Sequence, residues 1–376
     1  MRHIVGVILL IASVSIPADD AVVFSQAELS FIRSHGPWPP KIEQDSSNRL
    51  SGDSRAIAYG QKLFSELRLS NNGSVSCATC HVPENNFADS RPLAVGLENG
   101  IRNTPTVTNL AFHRWFGWGG DSDSLWMQNI RPIISTLEMD GTEAVRILHE
   151  TDKEYGNFYN EFQGKSVLQS SDEEMLVLVA KAIAAFLETQ ITGITPFDRF
   201  RLALLSGNQK QMKQYPASAK RGLKIFSGRG QCSVCHFGPS FTNGEFAEIG
   251  ISYFTVKGVD NGRFGGIENV KVSPFNLLGK YNDAPQPGNA DKTRYLKRRH
   301  DSFGQFRIPG LRSVAKTAPY MHNGSINTLY DVVEHYSHID LDRLHTDGQS
   351  ILKPLNLKET EIKDIVSFLE TLNDNN

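Results

Sequence analysis

Two short motifs hold the residues best suited to chemistry in this 376-residue chain, and together they contain all four of its cysteines. Cys77-Ala-Thr-Cys80-His81 and Cys232-Ser-Val-Cys235-His236 share one spacing, in which a histidine directly follows the second thiol. No cysteine is left over for a disulfide framework. The chemistry of both motifs must therefore come from paired thiols next to an imidazole.

A Cys-x-x-Cys-His motif attaches a c-type haem, because the thiols bond the porphyrin vinyl groups and the histidine ligates the iron. A redox dithiol would not need an adjacent histidine twice, and a single Cys₄ zinc site would leave both histidines unexplained. The sequence thus predicts two covalent haems with His81 and His236 as proximal ligands. The sixth ligand of each iron then decides between electron transfer at a closed haem and peroxide or O₂ chemistry at an open one.

The elements that must position these motifs are helical. Apolar periodicity and capping residues predict helices over Ser54 to Leu69, Asp172 to Thr189, Pro196 to Gly207, Ala217 to Phe226 and Lys358 to Leu372. Residues 258–301 are rich in Gly, Asn, Lys and Arg without a clear period, which predicts a long loop. Strand patterns are few, so the predicted class is mainly α.

An internal repeat organises the chain. Gly60-Gln-Lys-Leu-Phe-Ser65 precedes the first motif and Gly222-Leu-Lys-Ile-Phe-Ser227 precedes the second, while residues 105–132 align without a gap to residues 309–336. This order predicts two cytochrome c-like domains related by duplication, at residues 52–206 and 215–376, each with one covalent c-type haem. The alignment also makes Pro132 the counterpart of Tyr336.

Composition and the N-terminus limit the partners and the location. The net charge of −2 gives no case for nucleic acid or an anionic membrane surface as the main partner. A weakly basic start and an apolar run over residues 4–14 predict a signal peptide over residues 1–18, followed by an extended N-terminal segment over residues 19–51. No later run approaches 18 apolar residues, so we expect a periplasmic protein without a membrane span in the mature chain.

With these motifs in place, the chain resembles the bacterial di-haem cytochrome c peroxidase superfamily, which includes the MauG enzymes. The resemblance covers essentially all of the mature chain. Besides the two haem motifs, it is carried by Arg102-Asn-Thr-Pro-Thr106, Trp118-Gly-Gly120, Gln128, Pro132, Leu137-Glu-Met139 and Thr317-Ala-Pro-Tyr-Met-His-Asn-Gly324. It implies a peroxidatic N-terminal haem and a C-terminal haem that relays electrons.

The resemblance implies that Tyr336 is the sixth ligand of the second haem, at the place where the peroxidases have Met and the MauG branch has Tyr. A phenolate is a hard anionic donor that stabilises ferric iron, so this haem would be hard to reduce. His335, His338 and Met321 remain alternative ligands. A purely structural role for Tyr336 in the core also stays open.

The first haem is expected to have an open distal side. Its counterpart of Tyr336 is Pro132, which has no donor side chain, and residues 87–102 contain no histidine of the kind that closes this site in many peroxidases. We therefore expect a five-coordinate haem that is ready for peroxide without prior reduction. His113 or His149 could still reach this iron, and six-coordination there would favour a non-catalytic electron carrier.

Three residues are implied to act at or near the open haem. Glu138 is the candidate acid/base, because a carboxylate can take a proton from one peroxide oxygen and deliver it to the other; a solvated loop position is the alternative. Gln128 could hydrogen-bond the same peroxide. Trp118 matches the tryptophan that couples the two haems in this family, although Trp is also common in cores. Trp115 and Trp126 are expected to be core or surface aromatics.

A calcium site between the domains is implied as well. Asn103, with the backbone carbonyls of Thr317 and Pro319, matches the family's calcium ligands, and oxygen donors suit Ca²⁺. The alternative is that Asn103 only caps a turn.

These residues predict a periplasmic di-haem peroxidase that reduces hydrogen peroxide, with a small c-type cytochrome or a cupredoxin as electron donor. One alternative is a MauG-like enzyme that uses peroxide to oxidise side chains of a partner protein. MauG-type maturation passes oxidising equivalents through a surface Trp two residues before the second motif, and this sequence has Gly230 there. The other alternative is a non-catalytic di-haem electron carrier.

Overall fold

The structure, a computed structural model, describes residues 22–286, 288–344 and 352–374. The signal peptide predicted over residues 1–18 lies outside these ranges. The described part is mainly helical, as predicted. Within it, no helix combines the length and the apolar character that crossing a membrane requires.

Helices and two short ribbons make up the regular structure. The helices are α1 (Gln26–Ser34), α2 (Ser54–Phe64), α3 (Cys77–Cys80), α4 (Leu125–Ile134), α5 (Thr142–Thr151), α6 (Lys153–Gln163), α7 (Asp172–Leu187), α8 (Pro196–Ser206), α9 (Gln209–Gln214), α10 (Ala217–Ser227), α11 (Arg263–Val272), α12 (Asp291–Arg294), α13 (Leu329–Ser337) and α14 (Glu359–Glu370). The antiparallel ribbons pair β1 (Phe246–Ala247) with β4 (Phe306–Arg307), and β2 (Phe254–Thr255) with β3 (Gly258–Val259).

The five predicted helices are confirmed as α2, α7, α8, α10 and α14, with small differences at their ends. Ser171 is the N-cap of α7, since its side chain accepts the Glu174 N–H. The helix predicted to reach Leu69 ends at Phe64 and is followed by a 3₁₀ turn over Leu67–Leu69.

Two sequence predictions are wrong. The segment 19–51 is not simply extended, because Ser25 and Glu28 form a capping box that begins α1. The loop predicted over 258–301 contains α11, whose glycines hide its helical pattern. One of them is required by packing, since a Cβ on Gly266 would lie 2.0 Å from the carbonyl oxygen of Gly119.

Two hydrophobic cores lie along the chain. The first is built from residues 50–187 with Val270, and the second from Ile32 with residues 197–241 and 329–372. In each core, the helix before the cysteine motif crosses a later helix at a glycine. A Cβ on Gly60 of α2 would lie 1.9 Å from the Ala182 carbonyl oxygen of α7, and a Cβ on Gly222 of α10 would lie 1.9 Å from the Asp364 carbonyl oxygen of α14.

We expect Gly60→Ala to destabilise the haem-loaded protein by about 1–3 kcal/mol, because the new methyl group must push α2 away from α7. Gln61→Ala is the matched control, since Gln61 is exposed on the same helix and should change stability by less than about 0.5 kcal/mol. Urea unfolding measures both. A Gly60→Ala protein as stable as the wild type would show that the close helix crossing is wrong.

Candidate active site

The first cysteine motif forms the short helix α3, and its histidine is held in one orientation. His81 Nδ1 lies 3.2 Å from the carbonyl oxygen of Phe87. Because a carbonyl oxygen only accepts, Nδ1 carries the proton and Nε2 keeps its lone pair. Burial lowers the pKa of His81, which favours the neutral ring. This is the state and orientation that an iron ligand requires.

The second motif repeats this arrangement on a 3₁₀ turn over Cys232–Val234. His236 Nδ1 lies 2.9 Å from the carbonyl oxygen of Phe241, and burial again lowers the pKa of the histidine. Phe241 and its counterpart Phe87 both have left-handed backbones, with φ values of 53° and 58°. A phenylalanine with a left-handed backbone, six residues after His81 and five residues after His236, therefore points its carbonyl at each histidine.

A cavity of about 740 Å³ opens beside the second motif. Its lining includes Cys232, Cys235 and His236, together with Tyr336. The walls are largely apolar and include Phe226, Val234, Leu311, Val314, Leu329, Val333, Ile365 and Leu369. Apolar walls, paired thiols and a lone pair on Nε2 fit a covalently held haem, and the volume lies in the range of roughly 300–1,000 Å³ seen for cofactor sites.

The structure separates the four candidate ligands for the second haem. His335 Nε2 donates to the Ile249 carbonyl oxygen at 2.7 Å, and His338 forms a half-exposed pair with Glu334. Tyr336 and Met321 both line the cavity. Burial raises the pKa of Tyr336, with a further contribution from the two nearby thiols of the motif.

Glu138 lies close to the first motif. The Leu97 N–H donates to the Glu138 carbonyl oxygen at 3.0 Å, and the Cys80 thiol donates to the Val95 carbonyl oxygen at 3.4 Å. The Glu138 carboxylate also interacts electrostatically with both thiols, Cys77 and Cys80. The loop that follows the motif therefore holds the backbone of Glu138 near the motif.

The environment of Glu138 suits a proton-transferring group. Surrounding protein raises the pKa of its carboxyl group, and the Arg131 charge opposes that rise. The residue is nevertheless solvent-exposed in a turn after α4, which is the solvated position that the sequence analysis kept as the alternative. Solvent and small reactants can therefore reach its carboxyl group.

Gln128 and Trp118 have different surroundings. Gln128 lies on α4, and its buried Oε1 has no hydrogen-bond partner among the described residues. Trp118 Nε1 donates to the Asn103 carbonyl oxygen at 2.8 Å, and the Trp118 carbonyl oxygen accepts the Arg307 N–H at 2.8 Å. Trp118 also lines the cavity beside the second motif. Its contacts with Asn103 and Arg307 therefore connect the two halves of the chain.

The two histidines considered as ligands for the first haem have different surroundings. His149 is engaged at both nitrogens, by the Val145 carbonyl oxygen and by the Tyr59 hydroxyl group. His113 lines the cavity beside the second motif. His149 is therefore unsuited to ligate iron in this arrangement.

Asn103 lies close to the segment that carries Thr317 and Pro319. Its backbone N–H donates to the His322 carbonyl oxygen at 2.7 Å, and its Nδ2 donates to the Arg91 carbonyl oxygen at 2.9 Å. Thr317 and Pro319 line the same cavity as Asn103. In the described part of the chain no group of three His, Cys, Asp or Glu side chains could hold a metal ion, but amide and carbonyl oxygens are outside that set.

A buried charge network between the two halves was missed by the sequence analysis. Arg102 donates through Nε and Nη2 to both oxygens of Asp260 at 2.7 Å, and through Nη1 to Asp121 at 3.0 Å. Asp121 also pairs with Arg131 at 3.2 Å and accepts from Asn269 at 3.0 Å. Arg102 belongs to the motif over residues 102–106 that carries the family resemblance. Nothing in the sequence marks Asp260 as its partner.

Comparison with known proteins gives consistent matches. A family model for di-haem cytochrome c peroxidase matches residues 54–207. The chain is 31% identical over 352 residues to methylamine utilization protein MauG from Methylorubrum extorquens, covering 93% of this chain and 86% of the relative. It is 29% identical over 340 residues to cytochrome c551 peroxidase from Pseudomonas aeruginosa, covering 89% and 83%.

The fold also resembles a solved structure. The diheme peroxidase BthA from Burkholderia thailandensis superposes with a TM-score of 0.68 at 20% sequence identity. The match covers 86% of this chain and 87% of that chain. The two chains therefore share an overall fold.

The charge network makes stability depend on pH. Burial alone would raise the pKa of Asp121, but Arg102 and Arg131 hold it well below its usual range. A depressed pKa stabilises the folded state above the unfolded value of about 3.9, and that stability is lost as pH falls further. We expect Asp121→Asn to cost about 3–5 kcal/mol at pH 7, and the gap to the wild type to narrow by about 1 kcal/mol at pH 3.

Urea unfolding at both pH values measures this gap. Glu43→Gln is the control, because Glu43 forms only an exposed pair with Lys41 and its removal should have little effect at either pH. A gap for Asp121→Asn that stays constant between pH 7 and pH 3 would contradict the prediction.

Proposed function

Because the chain belongs to the di-haem cytochrome c peroxidase family, which includes the MauG proteins, we propose that it is a periplasmic peroxidase that reduces hydrogen peroxide at an open N-terminal haem. A second haem, held by the C-terminal motif, would supply the relay for the electrons. One observation carries the proposal: the Glu138 carboxylate lies near enough to the first motif to raise the pKa of both of its thiols. An acid/base group at that place serves peroxide chemistry and has no role in simple electron transfer.

Membership of this family implies two haem cofactors and oxidoreductase chemistry. We propose that Cys77 and Cys80 hold the first haem and that Cys232 and Cys235 hold the second. The oriented histidines support this assignment, since each presents Nε2 after Nδ1–H has been donated to a carbonyl. Bound haem supplies the iron that accepts peroxide and exchanges electrons.

Three residues have proposed roles in proton transfer, peroxide binding and electron transfer. Glu138 takes a proton from one peroxide oxygen and returns it to the other, and its raised pKa suits a group that must both accept and donate. Gln128 Oε1, which has no hydrogen-bond partner in the described part of the chain, accepts the hydrogen bond of the peroxide O–H. Trp118 provides an aromatic bridge between the two halves.

Tyr336 is our proposed sixth ligand of the second haem. Its support is its position in the cavity next to both thiols, together with the engagement of His335 and His338 elsewhere. Coordination would convert the buried neutral phenol to a phenolate. That anion would make the second haem hard to reduce.

Duplication is the proposed origin of the two halves. Local features recur at a constant offset of about two hundred residues. Asn109 and Ser313 both have left-handed backbones before a 3₁₀ turn, with φ values of 62° and 58°. Gly120 and Gly324 follow with φ values of 63° and 61°. The offset then aligns α4 with α13 and places Pro132 at the position of Tyr336.

Calcium is proposed to join the two halves at Asn103, Thr317 and Pro319. Asn103 uses Nδ2 and its backbone N–H for protein hydrogen bonds, which leaves Oδ1 as a donor for a cation. An amide oxygen with two carbonyl oxygens is the kind of donor set that Ca²⁺ accepts.

A MauG-like oxidation of a partner protein is the second candidate, favoured by the 31% identity to MauG. The electron source would then be a partner side chain in place of a small c-type cytochrome or a cupredoxin. The surroundings of Gly230 argue against transfer of oxidising equivalents through a surface tryptophan at this position, as occurs in MauG-type maturation. A Cβ there would lie 2.8 Å from the Ile225 carbonyl oxygen, so a Trp at this position would force the backbone to move.

We expect Glu138→Gln to slow the reaction of the oxidised protein with hydrogen peroxide by about 10²–10⁴-fold, because the amide cannot shuttle a proton. Stopped-flow absorption in the visible and near-infrared measures the rate, and the haem content should stay at the wild-type value. Glu143→Gln, an exposed carboxylate at the start of α5, is the control. An unchanged rate for Glu138→Gln would remove the main support for the proposal.

We expect Tyr336→Phe to change the ferric spectrum of the second haem and to raise its reduction potential, because the anionic donor is lost while the ring is kept. Tyr330→Phe on the same helix is the control for loss of a phenol group. A spectroelectrochemical titration measures both variants. If Tyr336→Phe behaves like the wild type, Tyr336 is a packed aromatic residue, and Met321→Leu becomes the next variant to measure.

A further inference from the structure

Arg307 of β4 is a buried cation without an anionic partner. The residue is 6% exposed, and its Nε donates to the Gly117 carbonyl oxygen at 3.3 Å. Among the described ranges no carboxylate forms an ion pair with it, and burial alone accounts for the fall of its pKa to about 10. A buried charge of this kind is costly unless something pairs with it.

Other buried arginines of the chain are satisfied. Arg312 forms two hydrogen bonds with Asp198, both at 2.9 Å, and Arg201 donates to the carbonyl oxygens of Ile32, Arg33 and Gly36. Arg263 lies over the rings of Phe246 and Trp115, at 4.0 and 4.3 Å from their centroids. Compared with these arginines, the Arg307 side chain has few partners among the described residues. This difference indicates that a bound ligand completes its surroundings.

The surroundings of Arg307 show where that ligand would lie. Arg307 lines the cavity beside the second motif and also a neighbouring cavity of about 270 Å³. His113 lines both cavities as well, and its buried Nδ1 has no hydrogen-bond partner in the described part of the chain. Two nitrogen groups in need of a partner thus meet where the two cavities join.

We infer that Arg307 and His113 form the binding site for a propionate carboxylate of the second haem. The inference rests on the proposed function, which places that haem on Cys232 and Cys235. The haem carries two propionate groups away from the vinyl positions that the thiols bond, and a guanidinium group is well matched to a carboxylate. The Arg307 charge then neutralises the carboxylate, anchors the free edge of the ring and favours the reduced state of this haem.

The experiment compares Arg307→Gln and Arg307→Lys with the wild type, after haem analysis has shown two covalent haems per chain. Arg263→Gln is the matched control, a buried arginine outside the cavity lining. Spectroelectrochemical titration measures each haem separately. We expect Arg307→Gln to lower the ferrous-to-ferric ratio of the second haem about tenfold at a fixed potential, which is a shift of 59 mV for a one-electron couple. Lysine should restore most of this loss, and the first haem should not change.

Resonance Raman spectroscopy of the propionate-bending region provides a second measurement, in case the glutamine variant fails to fold. Arg307→Lys should shift that band, because a point-like ammonium replaces a two-pronged donor. Two haems whose potentials and propionate band are unaffected by every Arg307 variant would overturn this inference and leave the proposed function standing. A wild-type protein without haem on the second motif would overturn the proposed function itself.

Discussion

The hydrogen bond from each motif histidine to a backbone carbonyl is the constraint around which both halves are built. It fixes the tautomer and the ring direction of His81 and His236. The accepting carbonyls belong to Phe87 and Phe241, whose left-handed backbones cost of order 1–3 kcal/mol each and need support from their surroundings. That support has to come from packing against the helix that precedes each motif.

The repeated hexapeptide provides this support twice. Its glycine lets the helix approach a neighbouring carbonyl oxygen, and its phenylalanine, four residues later, then reaches the strained turn. The ring centroids of Phe64 and Phe87 are 5.9 Å apart, and those of Phe226 and Phe241 are 6.4 Å apart. A short sequence repeat thereby explains why the same histidine geometry occurs in both halves.

The two halves share this local arrangement but differ in the residue at the proposed sixth-ligand position of each haem. Pro132 and Tyr336 occupy equivalent helical positions, which in our proposal leaves the first haem open and closes the second with an anionic ligand. Buried charge is concentrated between the halves. The Arg102 network is neutralised by Asp121 and Asp260, whereas Arg307 is left for a carboxylate that the chain itself does not provide. Tyr336 and Arg307 would then act in opposite directions on the potential of the second haem.

The local sequence pattern was sufficient to predict several features of this protein. The two motifs, the five predicted helices and the mainly helical class follow from the spacing of residues close together in the chain, because helices and Cys-x-x-Cys-His sites are local structures. The roles that the resemblance implied for Tyr336 and Glu138 stay predictions. Only the tertiary structure paired Arg102 with Asp260, engaged His149 with Tyr59, placed α11 against Gly119 and left Arg307 without an anionic partner among the described residues. Each of those facts depends on residues far apart in the chain that meet only after packing, and no local periodicity records such a meeting.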